Sequence, residues 1–132
     1  MQSLQFSLPI YYTQTFKSKP SRTFLVGMNQ LLKAHYHLYN EVKQYYHSLA
    51  ASSLQGHSLH NGTYSLTLTL YYKNPNCDPE NIFSLIAKFT HDFLQEQNII
   101  INDNTKYHVG TTSINAGKDA SNPRCEVLVT FH

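Results

Sequence analysis

The chain has 132 residues, of which 41% are hydrophobic and 14% charged, with a formal net charge of +2. That length builds one core without disulfides or a structural metal, and ten Tyr with seven Phe supply enough apolar surface to exclude global disorder. No apolar run approaches the ~18 residues of a membrane-spanning helix, and the start MQSLQFSLPIYY has neither the basic nor the apolar region of a signal peptide. Cys77 and Cys125 fit no zinc or redox motif and read as free thiols in a reducing compartment. The expectation is a soluble, cytoplasmic protein with one domain over residues 1–132.

Gln5 to Ile10 alternates in part and predicts a first strand. Residues 13–21 are polar, contain Pro20, and read as a loop. Thr23 to Val26 is a short extended piece ending at Gly27. From Asn29 to about Leu49 the pattern predicts one helix, with Leu31, Ala34, Leu38, Val42, Tyr45 and Leu49 recurring at spacings of three and four. Residues 50–62 read as a small, polar linker or an exposed loop. Tyr64, Leu66, Leu68, Leu70 and Tyr72 alternate with polar or outward residues in the clearest strand of the chain. A turn at 73–77 leads to Asp78-Pro79, an N-capping carboxylate followed by proline at the first helical position, and a second helix to about Gln97. Lys106 to Ile114 is a strand, 115–123 a hairpin connection, and Cys125, Val127, Val129 and Phe131 mark a terminal strand. Its outward alternation, Leu128 included, suggests a dimer face. The order β-α-β-α-β-β predicts an α+β domain: a mixed sheet of about four strands with two main helices packed on it.

Charge is unevenly distributed. Residues 1–77 carry six basic side chains against one acidic, +5, while 78–132 carry four against seven, −3. A basic half suits a polyanion and an acidic half suits a hard cation with oxygen ligands. On the second helix, Ile82, Leu85, Ile86, Phe89 and Phe93 form a core face. Asn81, Ser84, Lys88, Asp92 and Gln95 form a separate stripe, with Lys88 and Asp92 spaced to touch. Asp78-x-Glu80-Asn81 places two carboxylates and an amide at the helix entrance. If the segment after the helix turns back along it, Asp103 joins Asp78 and Glu80. Three carboxylates in one place repel unless a cation such as Mg²⁺ sits among them, and such an ion polarises a phosphodiester and activates water. Lys88 then steadies phosphate charge.

This arrangement resembles the RusA family of Holliday-junction resolvases, small phage-borne endonucleases. Asp78-Pro79-Glu80-Asn81 resembles the family's Asp-x-Asp-Asn helix opening, with Glu for the second Asp. Lys88-x-x-x-Asp92 resembles its in-helix pair, displaced by about one turn, and Asn102-Asp103 its acidic pair, with Asn for the first member. Leu8-Pro9 after a first strand, and Gly27-Met28-Asn29 leading to His35-Tyr36-His37, fit some phage members. The resemblance implies a Mg²⁺-dependent endodeoxyribonuclease (Mn²⁺ a possible substitute) that resolves branched DNA by paired nicking in recombination and repair. It implies a homodimer whose twofold matches that of a four-way junction, in the cytoplasm of a bacterial or phage-infected host, with no membrane and no small-molecule cofactor. Asp78, Glu80 and Asp103 are then the metal ligands, and Asp92 a fourth acid or the partner that orients Lys88. Lys17, Lys19, Arg22 and Lys33 are the phosphate contacts.

Other chemistries find less support. His35, His37, His47, His57, His60, His91 and His108 form no His-Glu-x-x-His pattern, and no cysteine pair lies at finger spacing. The doublets Tyr11-Tyr12, Tyr45-Tyr46 and Tyr71-Tyr72 offer base-stacking rings, but one ring of each is expected in the core. No nucleophile elbow or phosphate-binding glycine loop is present. The rival readings are a catalytically impaired junction-DNA-binding protein of the same fold, in which Glu80 and Asn102 have silenced the site, and a protein-interaction domain without nucleic acid.

Overall fold

A computed structural model describes residues 2–132. Strands β1 (Ser3–Pro9), β2 (Tyr11–Gln14) and β3 (Arg22–Leu25) are followed by helices α1 (Met28–Lys33) and α2 (Tyr36–Ala50). After a 3-10 turn at Ala51–Leu54 come β4 (Tyr64–Tyr72), α3 (Pro79–Glu96), β5 (His108–Lys118) and β6 (Arg124–Phe131). The expected α+β class with a mixed four-stranded sheet is what forms. The sheet order is β1-β6-β4-β5, and β2 pairs with β3 in a separate ribbon.

Period-two patterning explains the sheet. In β1 Leu4, Phe6 and Leu8 point to one face, as do Tyr64, Leu66, Leu68 and Leu70 in β4 and Cys125, Val127, Val129 and Phe131 in β6. Antiparallel pairing aligns them in rows across the sheet: Leu4–Val129–Leu66, Phe6–Val127–Leu68 and Leu8–Cys125–Leu70. A one-residue slip of β6 would turn every one of these side chains to the solvent face, so the register is strongly specified. The helices cover this face. α3 buries Ile82, Phe83, Leu85, Ile86, Phe89, Thr90, Phe93 and Leu94, a wider sector than the five positions that periodicity predicts. Each such Leu, Ile or Phe contributes roughly 1.5–3 kcal/mol of transfer free energy. Phe89 receives Tyr39 and Tyr46 edge-on, at ring separations of 5.3 and 5.6 Å.

Four expectations need correction. The helix predicted over 29–49 is two helices, because Ala34 and His35 are extended and His35 Nδ1 accepts the His37 N–H at 3.3 Å to cap α2. The break resets the buried stripe to Val42, Tyr46, His47 and Ala50, leaving Tyr45 and Leu49 each 38% exposed. Tyr46 goes inside because its hydroxyl finds the Pro9 carbonyl at 2.6 Å, as a buried phenol requires. Tyr12 and its neighbours lie in the β2–β3 ribbon, so residues 13–14 are strand rather than loop. The supposed linker is partly ordered: His60 N–H donates to the Ile99 carbonyl, and its Nε2 lies 2.8 Å from the His132 carbonyl.

The fourth correction concerns β5. It runs four residues past the predicted end and forms no hairpin with β6. It pairs in parallel with β4, reached through α3, while β6 lies on the other side of β4. Parallel neighbours need such a helical crossover. The terminal strand is therefore interior to the sheet, and Leu128 does not mark an edge. The edges of the sheet are β1 and β5. Cys77 and Cys125 are unbridged, and burial pushes the Cys125 thiol up to about 12. Among the described residues, no helix is long and apolar enough to cross a membrane.

Candidate functional site

The entrance of α3 forms as its sequence demands. Asp78 is extended, and its Oδ1 accepts from the backbone N–H of Glu80 at 3.1 Å and of Asn81 at 3.4 Å. Pro79 occupies the first turn, where its missing N–H has no consequence. Asp78 and Glu80 are both exposed. A carboxylate at a helix N-terminus is stabilised by the unpaired N–H groups there, so capping alone accounts for Asp78, and Oδ2 remains outside the cap.

Asn81 explains why this entrance is joined to another part of the chain. Its Oδ1 accepts the Asn29 backbone N–H at 2.7 Å, and its Nδ2 donates to Gln30 Oε1 at 2.7 Å. Gly27, which caps α1, allows the approach: a Cβ there would lie 2.1 Å from Asn81 Nδ2 and 2.4 Å from Gln30 Oε1. Gly27-Met28-Asn29 and Asp78-x-Glu80-Asn81, singled out separately in the sequence, are thus two halves of one joint.

Gln30 also lines a groove of about 340 Å³ with Arg22, Phe24, Leu31, Lys33, Ala34 and Leu38. Arg22 lies over the Phe24 ring at 5.0 Å and donates to Gln14 Oε1 at 3.3 Å. Two of the four predicted phosphate contacts, Arg22 and Lys33, therefore share a groove one side chain away from the α3 entrance. Lys17 and Lys19 lie outside that groove, exposed in the loop between β2 and β3, with Lys19 Nζ 4.3 Å from the centre of the Phe16 ring.

The remaining predicted residues do not converge on the entrance. Lys88 stands ten positions along α3 from Asp78, about 15 Å at 1.5 Å per residue, and contacts Asp92 at 3.7 Å across one turn. Asp92 also faces Lys43 at 4.0 Å, and Lys43 binds Glu96 at 2.7 Å, with His47 Nδ1 3.3 Å from the same carboxylate. The Lys43 hydrogen bond draws the Glu96 carboxyl below its usual range, and Glu96 raises Lys43. Burial lowers His47 against the pull of Glu96. Asp92 is thus part of an ion-pair network that ties α3 to α2.

Asp103 lies at the opposite end. α3 has 18 residues, about 27 Å of helix. Its far end leads through the buried Ile99 and Ile100 to the start of β5, beside the start of β4. There the charge of Asp103 acts on Tyr64 and His91. Tyr64 Oη and His91 Nδ1 are 2.8 Å apart, the rings of His91 and His108 meet edge-on at 4.5 Å, and His108 Nε2 lies 2.8 Å from Thr111 Oγ1. Burial, with His108 beside it, lowers His91 to about 4. Sequence reasoning missed this cluster, since His91 and His108 sit on a helix and a strand whose pairing no spacing rule discloses. Among the described residues no group of three His, Cys, Asp or Glu side chains is arranged to hold a metal ion. The set Asp78, Glu80 and Asp103 therefore does not assemble within one chain.

The chain matches no protein-family model and no curated protein.

Proposed function

We propose that this protein is a divalent-cation-dependent endodeoxyribonuclease that nicks branched DNA, of the kind the RusA resemblance implies. The observation that carries this reading is the joint between the α3 entrance and the basic groove. Asn81 holds Gln30, Gln30 lines the groove, and Arg22 and Lys33 flank it. Helix α1, which carries Gln30 and Lys33, is thereby tied by short hydrogen bonds to the entrance that carries two exposed carboxylates, and Arg22 lines the same groove. Nuclease chemistry on a phosphodiester needs that combination: cations that position the backbone and carboxylates that attract Mg²⁺, which is commonly held by one or two acids together with substrate phosphate. Arg22 suits a bidentate phosphate contact, and Lys33 a point charge. Asp78 and Glu80 supply the acids.

A nicking assay on a synthetic four-way junction tests the proposal. Cleavage that requires Mg²⁺ or Mn²⁺ and disappears in Asp78→Asn, with junction binding retained, is the expected result. The separation of Asp103 from Asp78 favours a second reading, a junction-binding protein without cleavage. Salt-sensitive binding to the junction with no nicking in either metal would select it.

A further inference from the structure

We infer that the rings of His35, Tyr36 and His37 form a stacking platform for an unpaired base of the DNA whose phosphates lie in the groove of Arg22 and Lys33. The inference rests on the reading above for the nature of the polymer, and on ring geometry for the contact. All three side chains are exposed, Tyr36 at 63%. Their rings meet one another: His35 and Tyr36 at 4.8 Å, His35 and His37 at 4.7 Å, Tyr36 and His37 at 4.1 Å, with planes between 25° and 36° apart. Aromatic pairs in the core meet edge-on instead, as Tyr46 does Phe89 at 75°. Rings spend their large apolar area on a core or an interface, and this near-parallel group is turned away from the core. The capping bond holds it in place. His35 Nδ1 accepts the His37 N–H at 3.3 Å, which ties the first ring to the backbone of the third, and a ring ordered before binding has less rotamer freedom to lose.

The occupant follows from the neighbours. Lys33 and Ala34 precede the three rings, Leu38 follows them, and all of these line the groove with Arg22 and Phe24. Among the described residues, no acidic side chain lines it. Lys33 and Tyr36 are three positions apart, at most about 11 Å between Cα atoms. A strand held by its phosphate at Lys33 therefore brings the base of that nucleotide, or of the next, to the rings. Every base has a flat π face, which a paired base hides in the duplex stack. Stacking on aromatic side chains thus selects unpaired nucleotides without selecting their sequence. A branch point supplies them, since a base there leaves the stack at less cost than one within a duplex. Cations alone grip any phosphate backbone; the platform adds a preference for branched or single-stranded DNA.

Binding of a duplex that carries a single-stranded tail tests this, with 2-aminopurine in one version of the tail and abasic sites in another. The wild-type protein should quench the 2-aminopurine and bind the intact tail more tightly than the abasic one. Tyr36→Ala should lose roughly 5- to 140-fold in affinity for the intact tail, the range of one stacked base. Its slope of log affinity against log salt should not change, because no phosphate contact is removed. Tyr36→Phe should bind as the wild type does. Tyr36→Leu keeps an apolar side chain without a π face, so it should fall as alanine does, and it decides the matter if the alanine variant does not fold. Wild-type affinity in Tyr36→Ala or Tyr36→Leu, or equal binding of the two tails by the wild-type protein, overturns the platform. A loss in Tyr36→Phe as deep as in Tyr36→Ala moves the contact to the hydroxyl and overturns it too. A protein that binds the tail through these rings but never nicks a junction sinks the nuclease reading alone. One that nicks, yet binds the tail equally well with Leu at position 36, sinks the platform alone.

Discussion

The Asn81 side chain grips the backbone of Asn29, 52 positions earlier in the chain, at 2.7 Å. Removing it takes away two hydrogen bonds made to exposed groups that water can satisfy instead, at a cost of about 0.5–1.5 kcal/mol. Asn81→Ala should lower the denaturant midpoint and speed amide exchange in α1. Gly27→Ala should do much the same, since its added methyl would occupy the space of the Asn81 amide. The two changes act on one joint, so the double variant should lose clearly less than the sum. Additive losses would show that the joint does not hold α1.

Thr90 is buried in α3 with its hydroxyl unpartnered, beside a small apolar cavity lined by Phe6, Leu8, Tyr46 and Phe93. An unsatisfied buried hydroxyl costs on the order of 1–3 kcal/mol. Thr90→Val keeps the shape and removes the oxygen, so it should raise stability by about 1 kcal/mol, read from the midpoint of chemical unfolding. A loss would mean that the hydroxyl has a partner in solution.

Acid should weaken the fold in a defined window. His91 falls from 6.5 to about 4 on folding, chiefly through burial. The unfolded chain therefore binds the proton more readily, and stability declines as pH drops from about 6.5 towards about 4. Burial of His47 acts in the same direction. Glu96, held low by Lys43, adds a further loss as its carboxyl protonates below its ordinary 4.5. His91→Gln should flatten the upper part of this profile and leave the lower part in place. An unchanged slope between pH 6.5 and 4.5 would contradict the burial of the imidazole.

The groove makes an ionic prediction. Arg22→Ala and Lys33→Ala should each weaken binding to junction DNA and reduce the slope of log affinity against log salt by about 1. Lys19, engaged with Phe16 and outside the groove, should matter less. An equal loss from Lys19→Ala would shift the contact surface to the β2–β3 loop.

The parts legible in the sequence were those fixed by local chemistry. β4 is legible at its true bounds because its inward residues Tyr64, Leu66, Leu68 and Leu70 alternate without interruption, and α3 because Asp78 and Pro79 announce its start. The break at Ala34–His35 is illegible: neither residue forbids a helix, and histidine, whose ring here caps α2 by accepting the His37 N–H, is not among the usual capping residues. The partner of β5 was illegible because parallel pairing is chosen by the crossover rather than by the strand. The misplaced Asp103 had a readable warning. A helix predicted to run from 79 to about 97 already separates its flanking acids by about 27 Å, more than the few residues that follow it comfortably retrace.

The position of β6 has a consequence for biosynthesis. β1 and β4 precede β6 in the chain, yet neither pairs with the other; both pair with the strand at 124–131. The hydrophobic rows of Leu4, Phe6, Leu8, Leu66, Leu68 and Leu70 lack their central partner until that strand has been made. Chains without β6 expose unpaired edges, and a truncation that removes Arg124–Phe131 should yield an insoluble product rather than a weakened one.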